Sequence, residues 1–161
     1  MDNPFAEMLR YNEWANHTLF EACRALDDGQ LDARASDASP SVRELLTHIA
    51  TGQQTILLRM TGRQQSSWGT WRGFDALLDL LDRSSDDLVA AAEGLGEEGS
   101  VEVKNGEDVY RFPKSFLLVQ AMTHGVEHRT EIKLLLASVG VPTPDLDSWS
   151  YGASAGFIQE R

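Results

Sequence analysis

The chain has 161 residues, enough for one domain spanning 1–161, and its 42% apolar content excludes a disordered segment. Fourteen Lys and Arg against 25 Asp and Glu give a formal charge of -11. That balance argues against nucleic acid and against anionic membrane surfaces, since both need a basic face on the protein.

The single cysteine, Cys23, has no partner for an internal disulfide, which favours a reducing compartment. It falls within the apolar pattern of the first helix and reads as a small core residue. No apolar run approaches the ~18 residues a membrane span needs. Met1-Asp2-Asn3-Pro4 is acidic and lacks the basic start of a signal peptide. The expectation is a soluble cytoplasmic protein.

The first helix starts at Asn3-Pro4, a capping side chain followed by a proline whose missing N–H is harmless at that position. Phe5, Met8, Leu9, Leu19, Phe20, Cys23 and Leu26 share one face, and Asp27-Asp28-Gly29 ends the helix. Residues 29–40 are polar and read as a loop. Ser41-Val42-Arg43-Glu44 is a capping box that opens a second helix running to about Thr61-Gly62. Residues 63–72 carry Trp68 and Trp71 without a period.

A third helix follows from about Gly73, with Phe74, Leu77, Leu78, Leu81, Leu88 and Ala92 on one face, stopped by Gly94, Gly96 and Gly99. Val101, Val103, Val109 and Tyr110 favour strands, and Asn105-Gly106 between them predicts a hairpin with that pair as its turn. The fourth helix runs from near Pro113 to Val139, with Gly140 as its terminal cap. The tail after 145 keeps Leu146, Trp149, Tyr151, Phe157 and Ile158, too apolar to fray, so it is expected to dock. Four helices with mixed connections predict an all-α four-helix bundle with a small β-hairpin before the last helix.

The chemistry concentrates in the histidines. His124 and His128 lie four apart on one helix face, where neighbouring Cβ atoms are about 5–6 Å apart, so two imidazoles can turn toward one ion. Leu117, Ala121, Ile132, Leu135, Leu136 and Val139 define that helix's apolar stripe, with His128 inside it and His124 at its edge. The alternative to a metal is a pair of core histidines hydrogen-bonded to carboxylates or backbone. His48, on the flank of the second helix's apolar face, supplies a third ligand from a neighbouring helix. Three histidines leave a tetrahedral ion one open position.

His17 lies well away from its helix's stripe and reads as a surface residue. Glu131 shares the His124–His128 face; it is placed to orient a ligand imidazole or to act as a general base, and a solvated carboxylate is the alternative. Tyr11, Trp14 and Thr18 form a second patch on the first helix, to be covered by the tail, a loop or another subunit.

Tyr11-Asn12-Glu13-Trp14-Ala15-Asn16, Glu44-Leu45-Leu46-Thr47-His48, Ala121-Met122-Thr123-His124-Gly125-Val126-Glu127-His128-Arg129 and Pro144-Asp145-Leu146-Asp147-Ser148-Trp149 together resemble the DinB-like metal-binding superfamily, in order and over nearly the whole chain. Thr130-Glu131 stands where that family has Gly-Gln, and Glu127 where a further histidine is common. The resemblance implies a down-up-up-down bundle with a long crossover. It also implies a nickel or zinc ion on His48, His124 and His128, and homodimers.

The family's thiol-dependent members add a low-molecular-weight thiol, for which Arg129, Lys133 and Arg59 are the cationic candidates here. The expected function is a metal-dependent enzyme acting on a small molecule, in the first place a thiol-dependent transferase and, second, a metal-assisted hydrolase. The alternative is a non-catalytic, stress-related dimeric protein whose ion is structural, its shell closed by Glu44, Glu127 or Glu131.

Overall fold

The computed structural model describes residues 3–61, 69–95 and 99–158. Trp68 and Gly96 lie outside them. The elements in order are α1 (Pro4–Cys23), α2 (Asp28–Leu31), α3 (Val42–Met60), α4 (Phe74–Glu93), β1 (Ser100–Asn105), β2 (Asp108–Pro113), α5 (Lys114–Ser138) and α6 (Ser148–Ser154).

The caps explain most boundaries. Asn3 accepts from the Phe5 and Ala6 N–H groups, and Ser41 and Glu44 form the reciprocal box at the start of α3. A second capping box, Asp27 with Gln30, starts α2 inside the segment expected to be loop. Arg43 of α3 fastens that short helix by reaching Asp28 and Asp32, at 2.8 and 2.9 Å. The hairpin pairs Asn105 with Asp108, so its two-residue turn is Gly106-Glu107 rather than Asn105-Gly106. Gly106 alone takes the positive φ (+63°) that the first turn position requires. Val139 caps α5 and is half-exposed, so it leaves the apolar stripe.

The long helices form a bundle in which α1 and α3 each pack on both α4 and α5. Arg10 pairs with Glu93 and Arg24 with Asp75, so α1 and α4 run antiparallel. His48 meets His128 while Gly52 meets His124, so α3 and α5 are antiparallel as well. Gln53 reaches Ser85, and Met60 shares a cleft with Gly94, so α3 and α4 are parallel. The topology is therefore down-up-up-down. The parallel pair needs a return crossover: its described part passes Thr51 at Gly69 and then Arg43, whose guanidinium lies 5.1 Å from the Trp71 ring.

Two apolar clusters fill the bundle. One gathers Leu19, Phe20, Leu46, Ile49, Leu81 and Ile132; the other Leu9, Ile56, Leu88, Val101, Val103 and Leu117. Where the two clusters meet, the long helices bury polar side chains: Asn12 and Asn16, Thr51 and Gln53, Ser84 and Ser85, and Arg129. Arg129 is only 3% exposed. Its Nη1 donates to Asn12 Oδ1 and Asn16 Oδ1, and its guanidinium lies 5.8 Å from the Tyr11 ring. Gln53 Nε2 donates to Ser84 and Ser85.

The tail docks within the chain. Tyr11 OH donates to the Leu146 carbonyl, and Tyr151 OH donates to Glu7 while its ring packs on Tyr11 and Trp14. Trp149, by contrast, is 76% exposed.

Removing the guanidinium leaves two buried amide oxygens without their donor, each costing about 1–3 kcal/mol. Arg129→Met is expected to lower unfolding free energy by about 2–4 kcal/mol in urea titration. Lys133→Met, four residues on and half-exposed, should change it by no more than about 0.5 kcal/mol. Equal effects from the two would show that the polar layer contributes nothing special.

Candidate metal centre

The antiparallel contact of α3 and α5 brings the three histidines together. His48 comes from the second turn of α3, and His124 and His128 from adjacent turns of α5. Their rings sit 4.5–4.6 Å apart, centroid to centroid, in edge-on arrangements. One nitrogen from each lies within 4.8 Å of the others, a spacing able to hold a metal ion. His48 Nε2 and His124 Nε2 are 3.0 Å apart. Two nitrogens bonded at about 2.0–2.1 Å to one ion stand roughly 3 Å apart, so the pair already has the separation of co-ligands.

His128 Nδ1 donates to Glu131 Oε2 at 2.6 Å, which leaves its Nε2 as the nitrogen with a free lone pair. A carboxylate behind a ligand imidazole fixes its tautomer and raises its basicity. Burial, reinforced by the neighbouring imidazoles, pushes His48 and His124 down to about 4. Both are neutral at physiological pH, as metal binding requires. The donor set, its spacing and its protonation fit a divalent ion.

Gly52 of α3 makes the contact possible: a Cβ there would lie 2.5 Å from His124 Cε1. No periodicity marks this glycine in the sequence. Its signal is positional, four residues after His48 on the same face.

Of the residues expected to close a structural site, none joins the cluster. Among the described residues the metal-capable group is His48, His124 and His128 alone. Glu44 is engaged with the Ser41 N–H, Glu127 is exposed, and Glu131 holds His128. His48, His128 and Glu131 line a cavity of about 800 Å³ whose other walls include Thr47, Thr51, Trp71, Arg34 and Arg43.

The three cations expected to meet an anionic cofactor are elsewhere. Arg129 is buried in the polar layer, Lys133 lines a separate cleft beside Tyr11 and Leu146, and Arg59 is not part of the cavity wall. His17 is exposed, as expected. Cys23 is buried, and burial pushes its thiol up to about 12, so it is no nucleophile.

Two outcomes follow from this geometry. Gly52→Ala should displace the His124 ring and weaken divalent-metal binding at least tenfold in competition titration, with the helical circular dichroism unchanged; wild-type affinity would refute the close-approach argument. The second concerns pH. In the folded chain His48 and His124 titrate at about 4, and in the unfolded chain near the ordinary ~6.5, so the unfolded chain takes up protons first as pH falls. Their effect is a loss of stability of the metal-free protein from about pH 6.5 down to about 4, and no further change below. Urea midpoints of chelator-treated protein should fall less over that range in His124→Asn than in wild type. Identical slopes would mean that these imidazoles do not report on folding.

Comparison with known proteins gives the same arrangement a lineage. A DinB family model matches residues 1–161. No curated protein matches. Among solved structures, a DinB-like protein from Bacillus cereus ATCC 10987 is similar at 15% identity, covering 88% of this chain and 94% of that one, with a TM-score of 0.66. The DinB-like protein YjoA from Bacillus subtilis is 18% identical over 88% and 98% of the two chains, with a TM-score of 0.62. YfiT from Bacillus subtilis, described as a probable metal-dependent hydrolase with an unusual four-helix bundle topology, is 16% identical over 88% and 91%, with a TM-score of 0.69. With the family model spanning every residue, the chain belongs to the DinB family.

Proposed function

We propose that this protein is a metal-dependent hydrolase of a small molecule. The observation that carries the reading is a three-histidine cluster, without a carboxylate ligand among the described residues, opening onto a cavity of about 800 Å³. His48, His124 and His128 hold a divalent ion, nickel or zinc by the family resemblance. When bound, such an ion supplies Lewis acidity toward water and toward a carbonyl or phosphoryl oxygen.

The chain's own residues do the rest. Glu131 keeps His128 in the tautomer that presents Nε2. Its carboxylate also faces the cavity, within reach of a proton released there. Gly52 seats His124, and the Trp71 ring under Arg43 forms the wall against which an apolar part of a substrate packs.

Hydrolysis is preferred to thiol transfer because the three histidines, with the Glu131 carboxylate beside them, are the donor and proton-accepting groups that metal-assisted attack by water needs. The description of YfiT points the same way. A purely structural ion is disfavoured because no fourth protein ligand joins the three histidines among the described residues.

Metal analysis of purified protein should find one divalent ion per chain, lost in His48→Ala and His128→Ala. Hydrolysis of a panel of small chromogenic esters, amides and phosphoesters should depend on that ion and stop with chelator. Glu131→Gln should retain the ion with at most about tenfold weaker affinity and lose about 10–100-fold in kcat. A protein that binds one ion per chain and hydrolyses none of the panel would overturn the proposal in favour of a non-catalytic metal module.

A further inference from the structure

The cavity beside the histidines has a far end, and its charge is uneven. Five charged side chains line the wall: Arg34, Asp37, Arg43, Glu44 and Glu131. Both arginines are already engaged. Arg43 donates through Nη2 to Asp28 at 2.8 Å and through Nε to Asp32 at 2.9 Å, two carboxylates outside the wall. Arg34 meets Glu44 Oε2 at 3.5 Å and donates to the Ser39 carbonyl at 3.4 Å. The Ser41 N–H donates to the same Glu44 oxygen at 2.7 Å and holds that carboxyl below the ordinary carboxylate range, so it stays ionised. Asp37 is exposed on the same wall, and neither arginine pairs with it. With Arg43 neutralised from outside, Asp37, Glu44 and Glu131 stand against Arg34 alone.

The uncharged groups point the same way. Thr47 and Thr51 spend their hydroxyl protons on the Arg43 and Thr47 carbonyls, at 2.9 and 2.8 Å, so toward the cavity their oxygens accept. The Trp71 ring, also in the wall, already attracts one cation, the Arg43 guanidinium 5.1 Å from its centroid.

We infer that the substrate carries a cationic amine or ammonium group, held at this far end by Asp37, Glu44 and Trp71 while the bond to be cleaved lies at the histidines. The inference rests on the hydrolytic reading of the same site and names its substrate class. The Arg34–Glu44 pair marks the first turn of α3, and His48 lies one turn on, about 6 Å along the axis. A divalent ion at the histidines would attract negative groups, so the substrate's cation and its reacting carbonyl belong at opposite ends of the cavity. An anionic substrate would have to compete with Glu44 for Arg34, and with Asp28 and Asp32 for Arg43. A cation displaces nothing. The formal charge of -11 adds a field that draws cations in and repels anions.

The test uses para-nitrophenyl esters of one short acid ending in a trimethylammonium, a tert-butyl or a carboxylate group. With metal-loaded protein, kcat/KM should be about fivefold higher for the trimethylammonium ester than for its tert-butyl isostere, and lowest for the carboxylate ester. The difference should lie in KM and shrink in high salt. Asp37→Asn should cut the cationic preference about threefold, and Asp37→Lys should reverse the order of the two charged esters. Binding is read separately. Butyltrimethylammonium should shift the Trp71 indole N–H resonance at millimolar concentration in wild type, and only at several times that in Asp37→Asn. Equal kcat/KM for the three esters, or a preference for the carboxylate ester, overturns the inference and leaves the hydrolytic reading standing. So does a Trp71 resonance that the ammonium ion does not move. Ammonium binding through Asp37 with no ester hydrolysed keeps the cation site and sinks the hydrolytic reading instead.

Discussion

The structure turns on a buried guanidinium that, among the described residues, is held by amide oxygens and not by a carboxylate. Arg129 carries its charge into the centre of the bundle, where desolvation disfavours it and lowers its pKa. Guanidinium does not deprotonate in proteins, so the surroundings must solvate it. Two amide oxygens, Asn12 and Asn16, do so. They lie four apart on α1, a spacing that puts both on one helix face, turned toward one donor. Their approach requires Gly125, where a Cβ would stand 2.3 Å from Asn12 Oδ1 and 2.7 Å from Arg129 Nη1. On the far side Gln53 and the two serines fill the same level. The cost of this layer is the interruption of the apolar core into two clusters.

That interruption also fixes the rotation of α5. A helix with apolar residues on two opposite faces has two nearly equivalent ways to present itself to a bundle, and burial alone discriminates poorly between them. Arg129 removes the ambiguity: only when it points inward does it reach Asn12 and Asn16, and then Leu117, Ala121, Ile132 and Leu136 fall in the core. With the helix so turned, His124 and His128 project toward α3, where His48 meets them. The polar layer thus positions the metal ligands without touching them.

Much of this was legible in the sequence because it rests on local signals. Both caps, Asn3 and Ser41 with Glu44, are short-range chemistry, and the structure uses each as read. The histidine trio was legible because four-residue spacing on a helix has one geometric meaning, and Glu131 because it follows His128 by one turn. The hairpin was read one residue early: Asn105-Gly106 fits a turn in which both central residues have positive φ, but pairing Asn105 with Asp108 makes Gly106 the first turn residue.

What failed was nonlocal. Arg129 read as a cation for an anionic cofactor, whereas it is buried in the bundle; its burial depends on two asparagines 113 and 117 residues away. The capping box of α2 was hidden in a polar stretch, where Asp27 and Gln30 look like any loop residues. Gly52 carries no pattern of its own, only a neighbour that arrives from another helix.

The site that results is prepared for an ion before one arrives. In water a histidine cluster titrates near neutrality, and an incoming cation has to displace protons. Here burial holds His48 and His124 neutral well below pH 6, so protons compete little. Within the cluster His128 is anchored by a carboxylate, and His48 and His124 face each other at 3.0 Å. Two imidazole nitrogens that close need something between or on them: a proton on one, or a cation bound by both. The first satisfies one donor and one acceptor, whereas a divalent cation would engage the lone pairs of all three rings at once.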